Sequence, residues 1–198
     1  MTPPLDPKTV KVGVLLGRRP AELGEWLADA AAFEAAGAHA LWVDPEPESR
    51  LDPLALLAAL AALTSRALLV ATPPTSEHAS EALGRSLATI GLLSHGRLAL
   101  AAEPGRLEEF TNLAPGSTAF RRLPGESGAF ERLDETGTPE RWVRTPPPEG
   151  RAAWRTALAA AVANGAGGLL VPAGPRLLDI LRNPNDPDDR RDLHLAQG

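Results

Sequence analysis

The feature that most constrains this chain is a regular alternation of short apolar runs and longer amphipathic stretches over its first hundred residues. Short runs rich in Val, Leu and Ala predict buried strands, and the stretches between them carry apolar residues at helical spacing. The order strand, helix, strand, helix is typical of a parallel sheet in the α/β class. The predicted strands cover residues 10–16, 40–43, 67–71 and 98–102, and the predicted helices cover 21–36, 53–63 and 81–93.

The regular pattern breaks between residues 103 and 150, where glycine and proline are frequent and apolar residues are sparse. In this irregular region we expect short helical pieces near 107–113 and 130–135, and a short strand near 142–145. Regularity returns with a helix over 151–164, a strand over 168–171 and a helix over 176–181, before a polar tail at 183–198. We interpret residues 1–198 as a single domain that contains this irregular region.

The composition limits both the size of the sheet and the classes of function. A barrel of eight parallel strand–helix units usually needs about 250 residues, which leaves this shorter chain room for about six or seven strands. The absence of cysteine excludes disulfides and thiolate metal sites, and the four isolated histidines predict no metal site. A net charge of −5 without a basic stripe argues against nucleic acid as a partner.

The predicted helix 53–63 is apolar nearly all round, with Asp52 as its N-cap and a proline at its first position. Such a helix is buried on more than one side, so we expect it to pack on a second copy of the chain as well as on the sheet. The run 54–63 is too short to span a bilayer, which needs about 20 residues. No apolar signal segment follows Met1, so we expect a cytoplasmic protein without a membrane partner.

Several segments of the chain match the pattern of one known family. They are Ala35-Ala36-Gly37-Ala38, Leu41-Trp42-Val43, Asp52-Pro53-Leu54, Thr64-Ser65-Arg66 and Leu87-Ala88-Thr89-Ile90. The most specific segment is Leu93-Ser94-His95-Gly96-Arg97, because the turn from helix to strand in that family typically reads Leu-Ser-x-Gly-Arg. In these segments the chain resembles the bacterial-luciferase-like monooxygenases and their deazaflavin-dependent relatives.

The resemblance implies a TIM-barrel-like parallel (β/α) barrel, shortened or incomplete in this chain, with a cofactor at the C-terminal ends of its strands. The implied cofactor is FMN or a deazaflavin, which supplies the redox chemistry while the protein orients it. The implied function is that of an oxidoreductase or monooxygenase acting on a small organic substrate. The family also implies a homodimer packed through the early alanine- and leucine-rich helices.

The chain departs from the family pattern at three strand ends. Pro45-Glu46 stand where active relatives commonly carry Asp-His, and Ala101-Ala102-Glu103 replace glycines that let the cofactor approach. The usual Gly-Thr at the end of the third strand reads Val70-Ala71, with Thr72 one place later. An alternative function is therefore that of a non-catalytic flavin-binding or structural relative of the family.

The catalytic candidates are Glu46 and Glu103, which lie just past two predicted strand ends. Active-site residues of a barrel gather at that face. There a carboxylate can act as a general base or accept a hydrogen bond from a cofactor ring. The alternative for each is a solvated loop carboxylate.

The cofactor-binding candidates are Thr72, Trp42, Gly174 and Arg176. Thr72 would take the place of the family's threonine. Trp42 could stack on a flavin, although a tryptophan beside a barrel strand is more often part of the core. Gly174 and Arg176 open the last predicted helix, whose free amide groups and added guanidinium suit a phosphate. The alternative there is an ordinary connection between a strand and a helix.

Overall fold

The computed structural model describes residues 10–17, 22–43, 51–72, 80–133 and 139–186. In these ranges the chain forms eight strands and six helices. In chain order they are β1 Lys11–Leu16, α1 Leu23–Ala35, β2 Ala40–Val43, α2 Pro53–Leu63, β3 Leu68–Ala71, α3 Ser80–Leu93, β4 Leu98–Ala102, α4 Pro104–Leu113, β5 Thr118–Arg122, β6 Ala129–Leu133, β7 Glu140–Arg144, α5 Arg151–Ala163, β8 Gly168–Pro172 and α6 Pro175–Arg182.

The eight strands form a closed barrel in sequence order, in which β8 pairs with β1. Seven strands run parallel to one another, whereas β6 runs antiparallel to both β5 and β7. The prediction of an α/β barrel is confirmed. The prediction of about six or seven strands in an incomplete, parallel barrel is wrong, because the barrel is closed, has eight strands and includes one antiparallel strand.

The short connections around β6 explain how eight strands fit into this chain. A parallel pair needs a crossover of a dozen or more residues, whereas an antiparallel pair can be joined by a short turn. Residues 123–128 join β5 to β6, and Gly125 and Gly128 adopt φ values of +77° and +73° there. The strand count expected from the chain length assumed a helix after every strand, and the described part of the chain between β5 and β7 contains no helix.

The irregular region 103–150 therefore contains regular structure. The helix expected near 107–113 is confirmed as α4, and the strand expected near 142–145 is confirmed as β7. The helix expected near 130–135 is wrong, because the described part of that stretch belongs to β6. Leu133 packs with the outer core while Phe130 lies inside the barrel, as expected for residues of opposite parity along a strand.

Helix α2 begins as the sequence predicts. The Asp52 carboxylate accepts hydrogen bonds from the backbone amides of Leu54 and Ala55 at 2.8 and 2.9 Å, and a proline fills the next position. Leu60 is fully buried, and the helix packs on β3, α1 and α3 of its own chain, although Leu63 at its end is 53% exposed. Among the described helices, none has the length and apolar composition needed to cross a bilayer.

The barrel interior is filled by buried side chains, which include the rings of Trp42, Phe120, Phe130 and Trp142. The Trp42 ring centroid lies 4.9 Å from those of Phe120 and Phe130. A Cβ atom at Gly168 would lie 2.2 Å from the Trp142 ring, so a glycine is needed there to make room for the tryptophan. The barrel is a packed core rather than an open channel. A second core lies between the outer face of the strands and the helices.

The buried carboxylate of Glu34 in α1 fixes the segment between α2 and β3. It accepts hydrogen bonds from the backbone amides of Ser65, Arg66 and Ala67 at 3.0, 2.7 and 2.8 Å. Burial alone would raise the pKa of Glu34, but the three amide groups and the charge of Arg97 outweigh burial and hold the pKa below its ordinary value. The lowered pKa favours the ionised carboxylate of Glu34, which is the form that accepts the three amide hydrogen bonds.

Arg97, just before β4, completes the same connection. Its guanidinium donates hydrogen bonds to the carbonyl oxygens of Thr64 and Ala67 at 2.8 and 2.9 Å. The preceding turn places His95 and Gly96 in the left-handed region, with φ values of +53° and +80°. In the most specific segment of the family resemblance, Ser94 and Arg97 are thus buried, and Arg97 forms a structural connection at the N-terminal end of the barrel.

Candidate functional site

The parallel strands all end on one side of the barrel, which we call the mouth. Active-site residues of parallel barrels follow these strand ends. Of the residues predicted there, Glu46 lies outside the described part of the chain, so its predicted role stays untested. The strand ends at the mouth are Leu16, Val43, Ala71, Ala102, Arg122, Arg144 and Pro172.

Thr72, Glu103 and Arg122 lie at the mouth on three neighbouring strands, β3, β4 and β5. The residue two places before each of them, on the same face of its strand, belongs to the interior core. All three positions therefore continue the inward-facing rows of the barrel. The register between β4 and β5 also sets Glu103 directly beside Arg122.

The Arg122 side chain is held at two points. Its Nε lies 3.0 Å from Oε1 of Glu103, and its guanidinium carbon lies 5.3 Å from the centroid of the Phe130 ring. The Arg122 and Glu103 side chains are 41% and 60% exposed. Within the described residues, no hydrogen bond engages either Nη atom of Arg122 or Oε2 of Glu103. The pair therefore presents both a cationic and an anionic edge to the mouth.

An apolar layer lies directly below these polar residues. Phe130 is 8% exposed and Trp42 is 5% exposed. The Trp42 indole Nε1 is buried and has no hydrogen-bond partner among the described residues. These contacts are those of a core tryptophan, the alternative given for it above, and the predicted stacking of Trp42 on a cofactor stays a prediction.

Gly174 and Arg176 follow β8 and also lie at the mouth. Gly174 is extended, and no heavy atom of the described residues outside its own chain neighbours lies within 4 Å of the position where its Cβ would be. Arg176 is exposed. Arg151 of α5 anchors helix α6 through hydrogen bonds to Asp179 and to the carbonyl oxygen of Asn183 at 2.7 and 2.8 Å.

The predicted site residues therefore fall into two groups. Thr72 and Glu103 share one arc of the mouth, on β3 and β4, whereas Gly174 and Arg176 stand after β8 on another arc of the ring. Sequence reasoning missed Arg122, because it lies in the region that looked irregular. Residues 118–122 carry no alternating hydrophobic pattern, and the structure alone shows that Arg122 stands on the same face as the buried Phe120.

A second polar cluster closes the opposite, N-terminal end of the barrel. The Glu140 carboxylate lies 2.8 Å from Nζ of Lys11 and 3.4 Å from Nη1 of Arg132, and it accepts a hydrogen bond from the Trp142 indole at 3.0 Å. Burial alone would raise the pKa of Glu140, but Lys11, the Trp142 hydrogen bond and Arg132 together hold it below its ordinary value. With its oxygens engaged in these contacts, Glu140 closes the barrel rather than offering a free acid or base.

His39 lies beside this cluster, just before β2. Its Nδ1 accepts a hydrogen bond from the backbone amide of Val12 at 3.2 Å, which requires the neutral imidazole. Burial and the charge of Lys11 lower the pKa of His39, and the opposing charge of Glu140 only partly offsets them.

Three grooves lie on the outside of the barrel. Their volumes are about 460 Å³ between α3 and α4, about 450 Å³ between α2 and α3, and about 330 Å³ between β7 and α5. None of the three is lined by Thr72, Glu103 or Arg122. Across the described ranges, no group of three or more His, Asp or Glu side chains is placed to hold a metal ion.

Comparison with known proteins gives only distant structural likenesses. No family model matches the chain, and no curated protein matches it. It is similar to EDTA monooxygenase from Chelativorans sp. BNC1, with 18% identity, TM-score 0.43, and 55% of this chain and 37% of that chain covered. A riboflavin lyase, solved with modified FMN and riboflavin, gives 22% identity, TM-score 0.40, and coverage of 52% and 32%.

The homocysteine methyltransferase MmuM from Escherichia coli gives 14% identity, TM-score 0.46, and coverage of 88% of this chain and 94% of that chain. The chain thus spans little more than a third of the monooxygenase and about a third of the lyase. All three TM-scores lie below 0.5 and all three identities below 25%, levels at which a likeness neither assigns a family nor identifies an activity.

Proposed function

We propose that this chain is a flavin- or deazaflavin-dependent oxidoreductase of luciferase-like type, which acts on a small organic substrate at the mouth of its barrel. The observation that carries the proposal is a difference between the two ends of the barrel. The segments around Glu34 and Arg97, which contribute to the family resemblance, form buried structural contacts at the N-terminal end. The candidate residues Thr72, Glu103 and Arg176 stand at the mouth. Barrel enzymes show this division between a stabilising end and a reactive end.

Among the described residues, the place that suits a flavin lies above the barrel interior. The barrel interior is filled, so a three-ring cofactor has no room inside it. Above the layer of Trp42 and Phe130 it would find an apolar floor, through which Trp42 would contribute to binding. The exposed Arg176 and the space beside Gly174, which no described residue fills, suit the phosphate of FMN.

The bound flavin would supply the redox chemistry, and the chain would bind it, orient it and move protons. Thr72 can donate or accept a hydrogen bond at the rim of the mouth. Glu103 keeps one carboxylate oxygen without a partner among the described residues, so it can accept a proton or a hydrogen bond from the ligand. We propose the same role for Glu46, on the evidence of its place in the sequence alone.

A specific observation favours a second candidate, a flavin-binding relative without turnover. Ala101 and Ala102, at the end of β4, are both buried. They stand where the family resemblance places glycines, and the methyl group of Ala101 faces the barrel interior. The pairing of Glu103 with Arg122 also engages one oxygen of the proposed base.

Titration of the full chain with FMN and with a deazaflavin, followed by flavin fluorescence and by the melting temperature, tests the proposal. We expect saturable binding with a Kd of tens of micromolar or tighter, about −6 kcal/mol or better. Thr72→Val should weaken binding, whereas Thr89→Val on the exposed face of α3 should leave it unchanged. The absence of binding by both cofactors sinks both candidates, and a bound flavin that no donor reduces selects the second.

We further propose a homodimer that packs through α2. The support is the apolar outer side of this helix, where Ala62 is exposed and Leu63 is 53% exposed. The full chain should sediment as a dimer, Leu63→Arg as a monomer, and the control Ala159→Arg on exposed α5 as a dimer. A wild-type chain that stays monomeric up to about 100 μM, a concentration at which a micromolar dimer would be nearly complete, refutes the proposal.

A further inference from the structure

We propose that Arg122 makes the mouth of the barrel a binding site for an anionic group, a carboxylate or a phosphate. The inference goes beyond the proposed flavin function, because it applies to any ligand at the mouth. It concerns a residue that the sequence analysis did not single out. It rests on the contacts that hold the guanidinium, on the groups that remain free, and on the position of Arg122 in the barrel.

The guanidinium of Arg122 contacts Glu103 through one side. Glu103 approaches the Nε atom at 3.0 Å, so this contact engages the side of the guanidinium and not its end. Nη1 and Nη2, which form the end, have no partner among the described residues. Two parallel N–H groups are the arrangement that binds carboxylate and phosphate oxygens in a bidentate manner. The open end of Arg122 is therefore a matched donor pair for such an anion.

The Arg122 side chain is preorganised by its neighbours. A free arginine loses side-chain entropy when it is fixed in one rotamer, and this loss weakens anion binding by a flexible surface arginine. Here the guanidinium already lies 5.3 Å from the Phe130 ring centroid and beside Glu103. Phe130 is itself held by Trp42 at 4.9 Å. Part of the ordering is thus complete before a ligand arrives, and Glu103 acts as a positioning residue for Arg122.

Arg122 also differs from a second arginine of the chain in its position. Arg106 of α4 makes similar contacts, with its Nε 3.3 Å from Glu109 and its guanidinium carbon 5.1 Å from the Phe110 ring centroid. Its exposed fraction, 40%, nearly equals the 41% of Arg122. Arg106 lies on an outer helix, whereas Arg122 continues an inward-facing row at the mouth. Arg106 is therefore a matched control, because it makes similar contacts but lies away from the mouth of the barrel.

The test is a titration of the full chain, without any flavin, with inorganic phosphate and with succinate at constant ionic strength. Tryptophan fluorescence reports binding, because Trp42 contacts Phe130 below the site, and calorimetry checks it. We expect saturable binding in the millimolar range for at least one of the two anions. Arg122→Gln should weaken it about tenfold or more, the effect of a lost charge-assisted contact. Arg106→Gln should leave it unchanged.

Arg122→Lys provides a second variant, since it keeps the charge and the expected fold but loses the planar fork; it should bind less tightly than wild type and more tightly than Arg122→Gln. The inference is overturned if neither anion gives a saturable response up to about 20 mM, a range that covers millimolar affinities. It is equally overturned if Arg106→Gln weakens binding as much as Arg122→Gln. Because no flavin is present, failure of the flavin proposal leaves these results readable.

Comparison of FMN with riboflavin identifies the source of the anion. If the anion is the cofactor phosphate, wild type should bind FMN more tightly than riboflavin, and Arg122→Gln should abolish that difference. If the anion belongs to the substrate, the ratio of the two affinities should be the same in both proteins while succinate binding falls. Either result supports the site.

Discussion

Replacing Glu34 by alanine tests whether one carboxylate holds the N-terminal end of the barrel. Ala67 is 1% exposed, so its backbone amide would lose its acceptor without gaining water, at a cost of about 1–3 kcal/mol. Ser65 and Arg66 are exposed, and their amides can bind water, so each lost bond should cost about 0.5–1.5 kcal/mol. We therefore expect Glu34→Ala to lower the free energy of unfolding by about 2–6 kcal/mol.

Urea unfolding followed by tryptophan fluorescence measures this change as a shift of the midpoint at unchanged slope. Asp29→Ala is the matched control, because Asp29 is exposed on the same helix and should change the free energy of unfolding by less than about 0.5 kcal/mol. A loss below about 1 kcal/mol in Glu34→Ala would refute the reasoning, since even one buried amide left without an acceptor should cost that much.

The pH dependence of the same residue provides an independent check. The folded state holds the pKa of Glu34 below its ordinary value, so the carboxylate stabilises the fold above the unfolded pKa of about 4.3. This contribution is lost as the pH falls through the lowered pKa of the folded state. In Glu34→Gln, which keeps the Oε1 acceptor, we expect a smaller loss at pH 7 and a flatter decline of stability below pH 5. Equal declines in both proteins would contradict the assignment.

Further stability measurements test the barrel interior and its N-terminal end. Gly168→Ala places a Cβ 2.2 Å from the Trp142 ring and should destabilise the protein by about 3 kcal/mol or more. Gly91→Ala in α3 meets no atom within 4 Å and should stabilise it by about 0.5–1 kcal/mol. The folded pKa of His39 is lowered, so the free energy of unfolding should fall as the pH drops from 7.5 to 5.5, and less steeply in His39→Asn. Urea midpoints decide all three.

The first half of the fold could be predicted from the sequence because local signals agree with the tertiary structure there. Asp52 marks the start of α2 through its own side chain, and the strands β2 and β4 are continuous apolar runs. Such runs arise because a parallel strand covered by helices is buried on both faces. The closure of the barrel could not be predicted, because it depends on how one late segment, β6, turns back.

The candidate site was only partly predictable for a related reason. Thr72, Glu103 and Gly174 follow strands that the sequence marks clearly, so their place at the mouth follows from the order of elements. Arg122 ends β5, a strand that the sequence pattern did not predict. Its partner Phe130 was expected to lie in a helix. Their contact joins two strands across a turn, and no local pattern announces such a contact.

The wall formed by β5, β6 and β7 explains why that region looked irregular. Among the described residues no helix lies between β5 and β7, so part of the outer face of this wall has no helix of the usual crossover type to cover it. Apolar side chains there would face water, and the chain instead pairs charges, Arg121 with Glu131 and Arg141 with Glu126. Charged residues thus replace apolar ones at outward positions such as Arg121, Glu131 and Arg141, which weakens the hydrophobic pattern that sequence reasoning depends on. The same inward rows carry Arg122 to the mouth, so the exposed wall and the proposed anion site are two consequences of one alternation.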